Sequence, residues 1–278
     1  MMDKRQRVGF MQGRLSPPID GKIQAFPWPF WQAEFSAAGA LGLRLMEWTI
    51  DQDRLFENPI MHDAGRAEIR RLIHETGVSI PSLTGDCFMQ APFWKASGPD
   101  RAELLTTFQR LVVAIAGVGV KYIVIPLVDN GSLTNADEEE VLVTELLAFV
   151  PLLTAHDQVL AFESDFPPTR LAHFIARLPA DRFGINYDMG NSASLGWKAE
   201  EEIPALASRI VNVHVKDRLL GGTTVPLGQG VADLPKAFEL LRAANYQGNY
   251  ILQTARATGD DHAEVLGRYN AFVLDQIG

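Results

Sequence analysis

The 278-residue chain has a single cysteine, Cys87. No intrachain disulfide can form, and a reducing, cytoplasmic setting is the expectation. The chain has no basic excess either: 25 Lys+Arg stand against 34 Asp+Glu, a net charge of −9. A nucleic-acid backbone would find no positive stripe, so that partner class is disfavoured. Long apolar runs are missing too. The cleanest, residues 111–120, is too short to span a bilayer. The charged start, Met1-Met2-Asp3-Lys4-Arg5-Gln6-Arg7, is followed by no apolar stretch of the signal-peptide kind. No membrane partner is expected. Linkers rich in Pro, Gly or Ser are absent, as are composition shifts, so one domain over residues 1–278 is the expectation.

Hydrophobic residues make up 47% of the chain and charged residues 21%, which excludes a disordered chain and supplies a large core. Short β-rich runs cover residues 8–12, 43–48, 78–84, 121–126, 159–163, 183–188, 210–215 and 249–254. Most are near-continuous apolar runs, as in strands buried on both faces of a helix-covered parallel sheet. Helical patterns fill the gaps, over 31–41, 64–76, 99–118, a segment capped by Asn135, 169–178, 199–208, 233–244 and 260–277. Pro99 suits a first turn and Gly77 a helix stop. Eight strands alternating with eight helices predict an α/β chain folded as a single (β/α)8 TIM barrel. The rival, an open doubly wound sheet, usually carries a Gly-rich dinucleotide turn after its first strand. Met11-Gln12-Gly13-Arg14-Leu15-Ser16-Pro17-Pro18 is not such a turn.

In a barrel, functional groups sit where the strands finish. The fifth predicted strand closes on Glu163, the sixth on Asp188, the seventh on His214 and the eighth on Gln253. Two carboxylates, an imidazole and an amide oxygen at one rim suit a divalent cation: Mn2+, Mg2+ or Co2+, with Zn2+ also open although no thiolate is offered.

Glu163, Asp188 within Asp-Met-Gly-Asn, and His214 within His-Val-Lys-Asp resemble the metal-site motifs of the xylose-isomerase-like TIM-barrel superfamily. Val225-Pro226-Leu227-Gly228-Gln229-Gly230 resembles the Gly-x-Gly turn that follows its seventh strand. The group includes sugar and sugar-phosphate isomerases and epimerases, inosose-type dehydratases and an endonuclease branch. The resemblance spans nearly the whole chain. It implies that Glu163, Asp188, His214 and the eighth-strand residue hold the metal, and that the protein forms dimers or tetramers. Two positions depart from the pattern. Family epimerases mostly end the eighth strand on Glu, which shares acid/base work with the fifth-strand Glu; here Gln253 has no titratable proton. Ketohexose 3-epimerases carry His three residues after the sixth-strand Asp, where this chain has Asn191. The endonuclease branch needs more His and acidic ligands than the six histidines here supply.

The chemistry expected is isomerisation or epimerisation of a sugar or sugar phosphate through an enediolate, with Glu163 as base. Lys216 lies two residues after His214, on the same side of its strand, and is the candidate second acid/base or enediolate clamp. Asn191 after the sixth strand, Asp217 next to Lys216 in sequence, and the loop arginines Arg14 and Arg256 are candidate substrate contacts; Glu47 at the end of the second strand is a candidate contact of either a substrate hydroxyl or a metal-ligand partner. These arginines, with Arg218 as a third candidate, could take a phosphate or carboxylate. A dehydratase of an inosose- or dehydroshikimate-like polyol, needing one base and a metal, is the rival, and a sugar-binding barrel with impaired chemistry is the third reading. The aromatics Phe26, Trp28, Phe30, Trp31, Phe88, Phe93 and Trp94 either wall the pocket or pack the rim. Cys87 has no partner motif and reads as a small buried residue.

Overall fold

The computed structural model describes residues 4–277. Its eight barrel strands are β1 (Val8–Met11), β2 (Leu45–Thr49), β3 (Ser79–Thr84), β4 (Tyr122–Leu127), β5 (Val159–Ser164), β6 (Phe183–Asp188), β7 (Ile210–Val215) and β8 (Asn249–Leu252). They close in the order β1-β8-β7-β6-β5-β4-β3-β2. Every neighbouring pair is parallel. This is the predicted (β/α)8 barrel, and β6 and β7 begin and end where the sequence places them.

Local chemistry explains most helix boundaries. The Asn135 side chain accepts the Glu138 N–H at 2.9 Å and starts the helix Ala136–Ala148. Gly77, at φ +68°, ends the helix Asp63–Thr76 in a left-handed turn. Two short helices escape the periodicity, Asp86–Gln90 after β3 and Met189–Ser194 after β6. Neither is long enough to repeat an apolar face. A small antiparallel hairpin follows β7, pairing Asp217–Arg218 with Thr224–Val225.

Side chains alternate along each strand, so β2 sends Glu47 into the barrel and Trp48 out towards the helices. Trp48 is fully buried, with the rings of Phe26, Trp31 and Phe35 centred 5.3, 5.8 and 6.5 Å from its own. Its Nε1–H donates to Asn58 Oδ1 at 3.1 Å. Phe88 and Phe93 pack on Phe108 in the same layer. Most of the early aromatics therefore pack the rim. Trp28 differs: it is half-buried, with the Arg54 guanidinium 3.8 Å above its ring. Cys87 is buried, and burial pushes its thiol up, which makes it unreactive. Among the described residues no helix is long and apolar enough to cross a membrane.

Replacing Trp48 with alanine leaves a cavity and removes one of the two hydrogen bonds that Asn58 Oδ1 accepts. Trp48→Ala should cost about 3–5 kcal/mol, read as an earlier denaturant midpoint. An unchanged midpoint would contradict this packing.

Candidate metal centre at the barrel mouth

Three adjacent strands deliver the central residues. β6 and β7 pair in a register that sets Asp188 beside His214, and below them Asn186 beside Asn212. Glu163 comes from β5, next to β6. Glu163, Asp188 and His214 each place one ligand atom within 4.8 Å of the others, and all three are buried. His214 Nδ1 lies 3.0 Å from Glu163 Oε2 and 3.7 Å from Asp188 Oδ2.

The other face of the imidazole is fixed from behind. His214 Nε2 donates to Glu47 Oε1 at 2.6 Å. Glu47 is held by the Thr84 hydroxyl at 2.5 Å and the Asn212 amide at 2.9 Å. A carboxylate behind a histidine sets its ring and its tautomer, and leaves Nδ1 facing Glu163 and Asp188 as the nitrogen that could take a metal. Glu47 has no exposed surface. Of the two expectations for Glu47, substrate contact is corrected and contact with a candidate metal ligand is what the structure shows: it orients His214.

Burial alone would push the His214 imidazole down, but Glu47, Asp188 and Glu163 outweigh burial and hold it well above its ordinary value. Burial likewise opposes ionisation of Asp188, yet the Lys216 ammonium and His214 keep its carboxyl well below the usual carboxylate range. As ionised groups, three carboxylates face the imidazolium and Lys216, one negative charge in excess. A divalent cation that displaces the Nδ1 proton would leave the cluster neutral.

Asp188 divides its oxygens. Oδ1 accepts the Asn191 N–H at 2.8 Å and caps the helix Met189–Ser194. Oδ2 faces the centre and pairs with Lys216 Nζ at 3.0 Å. Asn191 is a hub. Its amide donates to Glu163 Oε1 at 2.5 Å, and its Oδ1 accepts from Lys216 at 3.2 Å and Arg218 at 2.9 Å. Gly190 permits this geometry, because a Cβ there would sit 2.7 Å from Lys216 Cγ.

Glu163, Asn191, Lys216, Arg218 and Gln253 line one cavity of about 360 Å3 with Gln24, Thr84, Asp86 and Asp129. Gln253 is pinned through a chain of two amides. Asp86 Oδ2 accepts from Gln24 Nε2 at 2.6 Å, and Gln24 Oε1 accepts from Gln253 Nε2 at 3.0 Å. Gln253 Oε1 is thereby left buried with no partner among the described residues. An unpaired carbonyl oxygen on this wall is what a metal ligand requires. The donor set of oxygens and one imidazole nitrogen fits a divalent cation.

The remaining predicted residues turn away from the cavity. Asp217 has no exposed surface and accepts the N–H groups of Gly228, Gly230 and Ala232 at 2.9, 2.8 and 3.1 Å. The Gly-x-Gly turn wraps this carboxylate: a Cβ on Gly230 would meet Asp217 Oδ1 at 2.1 Å. Arg14 donates to the carbonyls of Thr254 and Ile23 at 2.8 and 3.0 Å. Burial and the neighbouring Arg256 lower it to about 9. Arg256 donates to the carbonyls of Ile23, Gly13 and Ser16. Neither arginine lines the cavity. For Asp217, Arg14 and Arg256 the substrate-contact expectation is corrected to loop ties. The carboxylate paired with Lys216 is Asp188. Sequence reading missed Asn186, Asn212, Gln24 and Asp86. The two asparagines had a signal, each lying two residues before a ligand on the same face. Gln24 and Asp86 sit in irregular or short segments with no period to follow.

The chain matches the family model of the xylose isomerase-like TIM barrel over residues 35–269. It is 24% identical to L-ribulose-5-phosphate 3-epimerase UlaE of Escherichia coli, over 87% of this chain and 88% of that one. Among solved structures, D-allulose 3-epimerase from Methylomonas sp. superposes with a TM-score of 0.76 at 12% identity, covering 98% of both chains. The IOLI protein with a bound zinc atom superposes with a TM-score of 0.75 at 15% identity, again covering 98% of both.

Two outcomes test the centre directly. An ion that displaces the Nδ1 proton must bind more tightly as pH rises, by up to about tenfold per unit from about pH 6 to about pH 8. Calorimetry with Mn2+ in buffers of different ionisation heat should show proton release, and pH-independent affinity would contradict the assignment. Glu47→Gln should weaken Mn2+ binding about 10–100-fold while the fold is retained.

Proposed function

The chain belongs to the xylose isomerase-like TIM barrel family, and from that premise we propose that it is a divalent-metal-dependent sugar isomerase or epimerase acting on a ketose-type substrate through an enediolate. One observation carries the reading: the ligand atoms of Glu163, Asp188 and His214 converge within 4.8 Å at the mouth of the barrel. The unpaired Gln253 Oε1 on the adjoining wall supports it. So do the relatives, which are named as epimerases of a ketose phosphate and of a ketose.

Glu163, Asp188, His214 and Gln253 would hold the ion. A divalent cation supplies Lewis acidity, polarising the substrate carbonyl and offsetting the negative charge of the enediolate. Glu163 takes the proton from the carbon beside the carbonyl. Its Oε1 is aimed by the Asn191 amide, so the base is positioned before substrate arrives. Lys216 keeps its ammonium on the cavity wall through Asp188 and Asn191. That fixed charge sits where negative charge develops on the substrate oxygens, and we assign it the role of clamp. Asn191 positions both groups at once, and Arg218 steadies Asn191.

Glu163→Gln should reduce turnover about 10²–10⁴-fold. The check is proton exchange with D2O at the carbon beside the carbonyl, using D-fructose and ribulose 5-phosphate as probes. Exchange that survives in Glu163→Gln would remove Glu163 as the base.

A further inference from the structure

An epimerase that inverts a carbon needs a second group to return the proton from the other face. Gln253 cannot supply it, since a carboxamide has no proton to exchange near neutral pH. Lys216 is tied to the buried Asp188 carboxylate at 3.0 Å and to Asn191 Oδ1 at 3.2 Å, which suits the clamp already assigned to it. The cavity wall contains one more buried carboxyl group that the reaction so far does not use.

We propose that Asp86 is the second acid/base of the site and takes the place of the carboxylate that Gln253 lacks. The inference rests on the enediolate reading above and adds a residue to it. Asp86 reaches the cavity from the segment after β3, whereas Glu163 reaches it from the end of β5. Asp86 is 7% exposed, so it is shielded from bulk water yet open to the cavity. Only Oδ2 is tied, by the Gln24 amide at 2.6 Å. Oδ1 has no hydrogen bond among the described residues and is the oxygen open to a ligand. The same Gln24 holds Gln253 at 3.0 Å, so the new acid and the altered ligand position belong to one hydrogen-bonded chain.

The environment suits a group that must both give and take a proton. Burial, with the charges of Asp51 and Glu163 adding to it, pushes the Asp86 carboxyl up to about 7, against the Gln24 hydrogen bond and the Lys216 charge. A carboxyl group poised there is present in both forms at neutral pH.

The step balances. Glu163 removes the proton, and the C–H electron pair becomes the enediolate double bond as the carbonyl π pair moves to oxygen. Protonated Asp86 then delivers its proton to the opposite face of the same carbon. The double-bond pair forms the new C–H bond and the carbonyl is restored. Glu163 ends protonated and Asp86 ionised, and exchange with water resets both. In the reverse direction Asp86 is the base.

The test separates exchange from inversion. Mn2+-loaded protein is incubated in D2O with D-fructose and, separately, ribulose 5-phosphate, and NMR reads deuterium in recovered substrate and the amount of epimer formed. Asp86→Asn keeps the oxygen that accepts from Gln24. It should lower inversion by about 100-fold or more, with deuterium uptake at the face served by Glu163 remaining within about tenfold of wild type. Asp86→Glu, which restores a carboxyl, should recover part of the inversion. A merely structural role would lower exchange and inversion together, and that result overturns the proposal, as does unchanged inversion in Asp86→Asn. Wild-type protein that exchanges but never inverts overturns it while leaving Glu163 and the enediolate standing. Wild-type protein that does neither overturns the enediolate reading, and the proposal falls with it.

Discussion

The interaction on which the site depends is the burial of His214 between Glu47 and the pair Glu163 and Asp188. A charged imidazole in a dry interior is costly unless it is matched on every side. Here Glu47 matches Nε2 from below and the two carboxylates match Nδ1 from above. The layer beneath supports the match: Asn212 bridges Glu47 and Asn186, and Asn186 reaches Glu163 at 2.8 Å, while Asn212 Oδ1 has no partner among the described residues. A polar core of this kind fixes side-chain positions through hydrogen bonds that act together. It leaves the Nδ1 side as the place where a divalent cation can replace a proton without disturbing the rest.

The parallel barrel makes this arrangement possible because each strand ends at the same rim and alternate residues face inward. That is why the fold and the convergence of Glu163, Asp188 and His214 were legible in the sequence. Strands β6 and β7 are short, mostly apolar runs with a polar residue at or next to the end, and their pairing puts Asp188 beside His214 without help from any loop. The same alternation carries the asparagines two residues earlier. What was not legible depends on loops. The sequence marks Arg14, Arg256 and Asp217 as polar residues after strands, but cannot say that they turn back onto backbone groups. Asp217 accepts the N–H groups of a turn eleven and more residues ahead, a closure with no local pattern. Gln24 and Asp86 meet across 62 positions of sequence, and no periodicity links them.

Gln253 connects the candidate metal centre to Asp86 through Gln24. As a departure from the family's carboxylate it weakens a two-glutamate relay. As a side chain it has its N–H2 held by Gln24 and its oxygen left bare, which suits a ligand and not an acid. In the proposed reaction ligation and proton return are therefore divided between neighbours along one chain of amides, with Asp86 at its far end. The proposed reaction class is that of the relatives named as epimerases, with the duties of the residues redistributed.

The central claim is that one divalent cation sits on Glu163, Asp188, His214 and Gln253. Anomalous diffraction at the manganese edge, from crystals grown with Mn2+, tests it most directly. The account predicts a single strong peak in the cavity, about 2.0–2.3 Å from a carboxylate oxygen of Glu163 and of Asp188, from His214 Nδ1 and from Gln253 Oε1. No peak at saturating Mn2+, or a peak that leaves His214 still hydrogen-bonded to Glu163, would contradict it.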